Sequence, residues 1–161
     1  VGYKTSANST LSAGVLYSRY KTDLDAAAFE DEKDFVATNT NKQVNANWKK
    51  NTATGALNIL YQYNWVERNY LDDSAYVSNI FSTFSKSNYI GRTHFAEINA
   101  SKIFANWELL AGVDFRHNST TQDYYSTGAW GPYTSPTLNA WMAQLSGFGS
   151  AVYKKNDLTV E

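Results

Sequence analysis

Cysteine is absent from the chain, which excludes disulfide staples and thiolate metal sites. Proline occurs twice, too rarely for a proline-rich linker protein. No run of about 18 apolar residues exists, so no membrane-spanning helix is readable. Charge is scarce and balanced: 18% of the 161 residues are charged and the net charge is −1. That balance gives no pull toward nucleic acid. Neither a secretory leader nor an initiator methionine opens the sequence, so the reading expects a processed protein or an excerpt of a longer one. The mean hydropathy is negative. A membrane barrel would show this as readily as a soluble protein, because only alternate strand positions must be apolar.

Aromatic residues, by contrast, are abundant: 16% of the chain, with 12 Tyr and 5 Trp. They sit in runs that alternate. In "WELLAGVDFRH" (107–117) the odd positions Trp107, Leu109, Ala111, Val113 and Phe115 are apolar. The even positions include Glu108, Gly112, Asp114 and Arg116. Similar alternation marks 11–18, 43–49, 57–66, 96–101 and 143–153. Period two over six segments predicts strands. One helical alternative exists, because Ala100, Ile103, Phe104, Trp107, Leu110 and Ala111 also fit a 3.6-residue repeat. Asn106, Gly112 and the alternation of 107–116 favour strands there. The segment "DAAAFEDEKDF" (25–35) reads as a loop with one helical turn.

Connections alternate in length. "SANS", "KKNT", "FAN" and "KKND" are short, whereas 21–41, 67–88 and 118–141 are long and polar. Long irregular loops are uncommon in compact soluble domains. They are the expected outer loops of a membrane barrel, whose turns are short on the other side. Trp48, Trp107 and Tyr153 flank short turns, and Trp65 and Phe115 lie toward the long loops, which predicts a ring of interfacial aromatics at each membrane surface. Runs of this length suffice to cross a bilayer when tilted, and such strands must close into a barrel. "VGYKT" and "LTVE" read as partial strands at the two ends. The predicted fold is therefore all-β: an antiparallel transmembrane β-barrel segment over residues 1–161. It has six full strands and two partial ones, with short periplasmic turns and long extracellular loops.

The stretches "WELLAGVDFRHNSTTQDYYS", "GPYTSPTLNAW" and "GSAVYKKNDLTVE" resemble the barrel region of TonB-dependent outer-membrane receptors, in particular the Bacteroidetes cobalamin and siderophore type. The likeness is best over residues 89–161. It implies a parent barrel of about 22 strands with a plug inside, the plug being absent from this chain. It also implies a bacterial outer-membrane location and active uptake of a scarce metal chelate such as cobalamin, haem or a siderophore. The implied partners are outer-membrane lipid, the chelate, TonB acting through the missing plug, and a surface lipoprotein. A passive porin or small structural barrel, and a soluble β-sandwich or adhesin domain, stand as alternatives.

Candidate site residues follow. Tyr124, Tyr125, Trp130, Tyr133 and Trp141 in the 118–141 loop are candidates for ligand capture, since rigid aromatics on loops suit binding. A loop folded on its own aromatics would look the same. Glu108, Asp114 and Arg116 are expected to face the lumen, close enough for an ion pair within the chain. His117 lacks partners at ligand spacing and reads as an interfacial histidine. The acids of "FEDEKDF" (29–35) and "LDDS" (71–74) lack calcium-loop spacing and read as solvated. No metal site, no cofactor and no catalytic constellation is readable, so no enzyme is expected. On this facing, Val113→Arg should block insertion and Gly112→Ser should be tolerated.

Overall fold

The computed structural model describes residues 1–24, 34–73, 84–155 and 158–160. Within them the chain forms one antiparallel sheet of β1 (Gly2–Ser6), β2 (Ser9–Asp23), β3 (Phe35–Thr52), β4 (Gly55–Asp72), β5 (Phe84–Phe104), β6 (Trp107–Gly128), β7 (Gly131–Thr134), β8 (Leu138–Lys155) and β9 (Leu158–Val160). The order is β1-β2-β3-β4-β5-β6-β8-β9, with β7 folded back on β6. The path is open: β1 and β9 are its two edges. Six strands of 15 to 22 residues and two short terminal ones match the expected count. No helix occurs among the described residues. The helical alternative for 100–111 is replaced by the end of β5, a tight turn and the start of β6.

One expectation is corrected. Residues 118–141 are not an irregular loop: β6 runs on to Gly128, β7 pairs with it, and β8 resumes at Leu138. Residues 21–41 and 67–88 are likewise partly strand, to Asp23 and from Phe35, and to Asp72 and from Phe84. The stretch Ser119 to Thr127 is rich in Thr and Tyr, which favour extended backbone. It is polar on both faces, so no hydrophobic alternation announces it. The one helical turn expected within 25–35 falls mostly outside the described residues.

The registers carry more information than the strand count. Two-residue connections follow the last paired residues Ser6↔Ser9, Thr52↔Gly55, Phe104↔Trp107 and Lys155↔Leu158. Ser9 pairs with Lys50, Gly55 with Lys102, and Trp107 with Tyr153. Each turn therefore lies two residues beyond the preceding one. Two residues are about 6.7 Å along a strand, against about 9.6 Å for two strand spacings, so the turns align in a plane only if strands tilt by about 35°. That is the shear and tilt a barrel wall requires.

Counting each strand from its own turn sorts one face into layers. At two residues stand Leu11, Lys50, Leu57, Lys102, Leu109 and Tyr153; at four, Ala13, Trp48, Ile59, Ala100, Ala111 and Ala151. At six come Val15, Ala46, Tyr61, Ile98, Val113 and Gly149; at eight, Tyr17, Val44, Tyr63, Ala96, Phe115 and Gly147. The layers at four to eight contain no charge. The opposite face is polar, with Asn45, Asn47, Asn58, Gln62, Asn64, Asn99, Asp114, Arg116 and Gln144 among its members.

Burial is inverted relative to a soluble sheet. Val15, Ile98, Val113 and Leu145 are 79%, 48%, 52% and 77% exposed, while Glu97, Asn99, Gly112 and Asp114 on the other face are half-buried. Ala37 is the one buried hydrophobic among the described residues, and none of their large side chains is fully buried. Contiguous exposed apolar surface of this kind marks a contact face, for lipid or for another protein surface.

Candidate functional site

Glu108, Asp114 and Arg116 share the polar face, as their alternation predicts, with Glu108 about 20 Å along the strand from Asp114. Their pairing differs from expectation. The Lys154 ammonium donates to Glu108 Oε1 at 2.8 Å, across β6 and β8. Arg116 instead lies over the Phe95 ring, 5.3 Å from its centroid, directly opposite in register. Asp114 stands opposite Glu97, whose Oε1 accepts from Asn99 Nδ2 at 2.6 Å. Asp114 and Arg116 sit two apart on one strand, about 6.7 Å along it, and Arg116 turns to Phe95 rather than to Asp114. The side chain of Phe148 also reaches across this face to Gly112, its register partner. A Cβ at Gly112 would collide with that ring and approach Asn99 Cβ and the Ile98 carbonyl oxygen at 2.9 Å. Tolerance of Gly112→Ser is therefore corrected.

Amides dominate the rest of the face. Thr93 Oγ1 donates to Asn118 Oδ1 at 2.9 Å, and Ser12 Oγ donates to the Asn47 carbonyl at 3.4 Å. The buried Oδ1 atoms of Asn41, Asn47 and Asn64 accept no hydrogen bond among the described residues. Buried acceptors ordinarily find a protein or water partner.

The five aromatics proposed for ligand capture do not converge. Tyr124 and Tyr133 are ring neighbours, 6.2 Å between centroids, on one face of the β6–β7 hairpin. Tyr125 points to the other face, 6.0 Å from Phe84. Trp130 stands at the hairpin tip, 88% exposed. Trp141 lies on β8 beside Ser119, well below the tip. A cleft of about 320 Å³ opens at the hairpin base between Lys86, Asp123, Tyr124, Thr134 and Thr137. The Thr137 hydroxyl donates to Asp123 Oδ1 at 2.6 Å there.

The aromatics expected at the interfaces fall on the apolar face at graded depths. Trp107 ends β6 at its turn and packs against Tyr153, 5.0 Å between centroids. Phe115 lies eight residues from its turn and Trp65 ten, at the far edge of the band. Trp48 lies four residues in, inside the band rather than at its rim.

Reading the sequence alone missed a histidine ladder. His94 and His117 are direct register partners, 6.1 Å between ring centroids. Tyr61 Oη lies 2.9 Å from His94 Nδ1, Tyr63 packs at 4.7 Å, and Trp141 stacks on His117 at 6.1 Å. Only the β5–β6 register reveals this pairing, because the two residues are distant in sequence. Among the described residues, no group of three potential metal ligands comes together. Of the acidic segments, Asp34, Asp72 and Asp73 meet where β3 begins and β4 ends. Burial pushes the Asp72 carboxyl up, and the charges of Asp34 and Asp73 push it the same way. The remaining acids of 29–33 lie outside the described residues. No family model, curated protein or solved structure matches this chain.

Proposed function

We propose that the chain is part of the wall of an outer-membrane β-barrel, with its apolar face against lipid and its amide-rich face lining the lumen. The layering supports this reading above all else. From each turn, the exposed face stays apolar or carries an isolated lysine for eight residues and turns basic or aromatic at ten on five of the six strands. Ten residues are about 33 Å along a strand, or about 27 Å along the barrel axis at a 35° tilt. An outer-membrane barrel carries an apolar band about 25 Å tall. The open edges of β1 and β9 would then pair with further strands of the parent barrel, since no edge survives in lipid.

On the wording of residues 89–161, that parent is a TonB-dependent receptor taking up a metal chelate. The unfilled Asn acceptors suit a lumen filled by water or by a plug. The β6–β7 hairpin, with Tyr124 at the cleft of its base, Tyr133 beside Tyr124 and Trp130 at its tip, would be an outer contact for the ligand. This segment supplies wall and hairpin, and TonB acts elsewhere in the protein. Two experiments test the reading. The full-length protein should fractionate with outer membranes and require detergent; release into buffer would defeat the barrel. Trp130→Ala with Tyr133→Ala should reduce chelate uptake while leaving the protein in the membrane. Unchanged uptake would remove the hairpin from the binding site.

A further inference from the structure

Beyond the uncharged layers, the apolar face becomes cationic in a way that wall-building alone does not require. Ten residues from the turns stand Arg19, Lys42, Trp65, His94, His117 and Leu145. Two residues further, Lys21, Glu67 and Arg92 join the same face. Four permanent cations thus share this rim with one carboxylate, which already accepts from Asn88 Nδ2 at 3.4 Å. Among the described residues, none of the four cations forms an ion pair. The Lys42 ammonium lies 4.5 Å from the centroid of Trp65, held at the surface by the ring. Arg92 borders an open cleft of about 370 Å³, where its register partner Ser119 and then Trp141 share its face. Trp65 stands in register between Lys42 and Arg92, so the two cations flank one indole; a guanidinium beside a hydroxyl is phosphate-binding chemistry, and indole rings prefer headgroup depth. The turn-side edge has lysines, Lys50 and Lys102, but no arginine.

We propose that this rim binds the phosphate groups of an anionic lipid in the leaflet on the long-hairpin side, with Lys42 and Arg92 as the main contacts. The proposal rests on the barrel reading above. A lipid-borne phosphate fits better than a free one, because the cations border an apolar band that acyl chains would cover.

The test uses the full-length protein in phosphatidylcholine nanodiscs containing a phosphorylated glycolipid or its dephosphorylated form. Retained lipid is counted by native mass spectrometry. The wild type should prefer the phosphorylated form. Lys42→Gln with Arg92→Gln should reduce that preference about ten- to thirtyfold, at roughly one surface-cation contribution each. Lys49→Gln, on the opposite face, should leave it intact. The charge-keeping pair Lys42→Arg with Arg92→Lys should also retain it, which separates lost charge from lost fold. Equal retention of both lipids would overturn the proposal, as would an unaltered preference in the Gln pair or displacement of the lipid by inorganic phosphate. Loss in the charge-keeping pair would overturn it too. Failure of the wild type to enter nanodiscs would defeat the barrel reading itself; entry without lipid preference would defeat only this inference.

Discussion

Single residues show where the sheet tolerates no change. Gly112 looks dispensable in the sequence, as a small residue on a polar face. Its constraint comes from Phe148, which reaches it only through a register linking distant segments. Such a contact cannot be read locally. Gly112→Ser should therefore lower the thermal midpoint of the detergent-extracted protein, with overpacking costing about 1–3 kcal/mol; an unchanged midpoint would mean that Phe148 swings away freely. Ala105, the first residue of the β5–β6 turn, has a φ of 51°. Left-handed backbone costs a residue with a Cβ about 1–2 kcal/mol. Ala105→Gly should raise the same midpoint, and a drop would contradict that turn geometry. Asp72 lies beyond the band, and its carboxyl sits above the ordinary 3.8 through burial and its acidic neighbours. The folded state thus holds this proton more tightly than the unfolded one. Its stabilising effect is present at low pH and is lost as pH rises from 3.8 through the folded value. Asp72→Asn should flatten stability across that interval; an unchanged slope would exclude Asp72 as its source.

At the scale of the strand, facing is the property that matters. The alternation of 107–116 was legible because it is local and strict, and the sheet keeps it: Val113 stands exposed while Asp114 is half-buried beside Glu97. Strand length was less legible. Past the apolar band both faces of β6 are polar, so the hydrophobic pattern ends at Phe115 although the backbone ladder continues to Gly128. Loop aromatics therefore became strand aromatics, and Trp141 moved from a proposed capture loop to the rim beside His117. Depth along the strand yields a paired prediction. Val113→Arg, six residues from its turn, should block membrane insertion at a cost of about 2–4 kcal/mol near mid-bilayer. Ser146→Arg, on the polar face opposite Asp114, should insert normally. Equal behaviour of the two variants would mean that the strand does not separate lipid from water.

For the whole molecule, the decisive feature is a regular stagger joined to an inverted burial pattern. Each hairpin steps two residues along its predecessor, and the layers counted from the turns stay apolar at matching depths on six strands. The stagger was not visible in the sequence, because register is set by pairing between distant segments, whereas the outward apolar face was, through the alternation of 107–116. The antiparallel all-β class and the strand count were visible, because strands, turns and alternation are local signals. The central claim is directly measurable, because no cysteine within this chain would compete with a label placed in it. Single cysteines placed at each position from 107 to 117 except Gly112, in the full-length protein with any cysteine outside this chain replaced by serine, would carry nitroxide labels in bilayers, with collision by oxygen and by a water-soluble nickel chelate recorded. A lipid-facing wall predicts high oxygen access at 109, 111, 113 and 115 and high nickel access at 108, 110, 114 and 116, alternating with period two. Nickel access at every position, or no alternation, would contradict a wall with lipid on one face and water on the other.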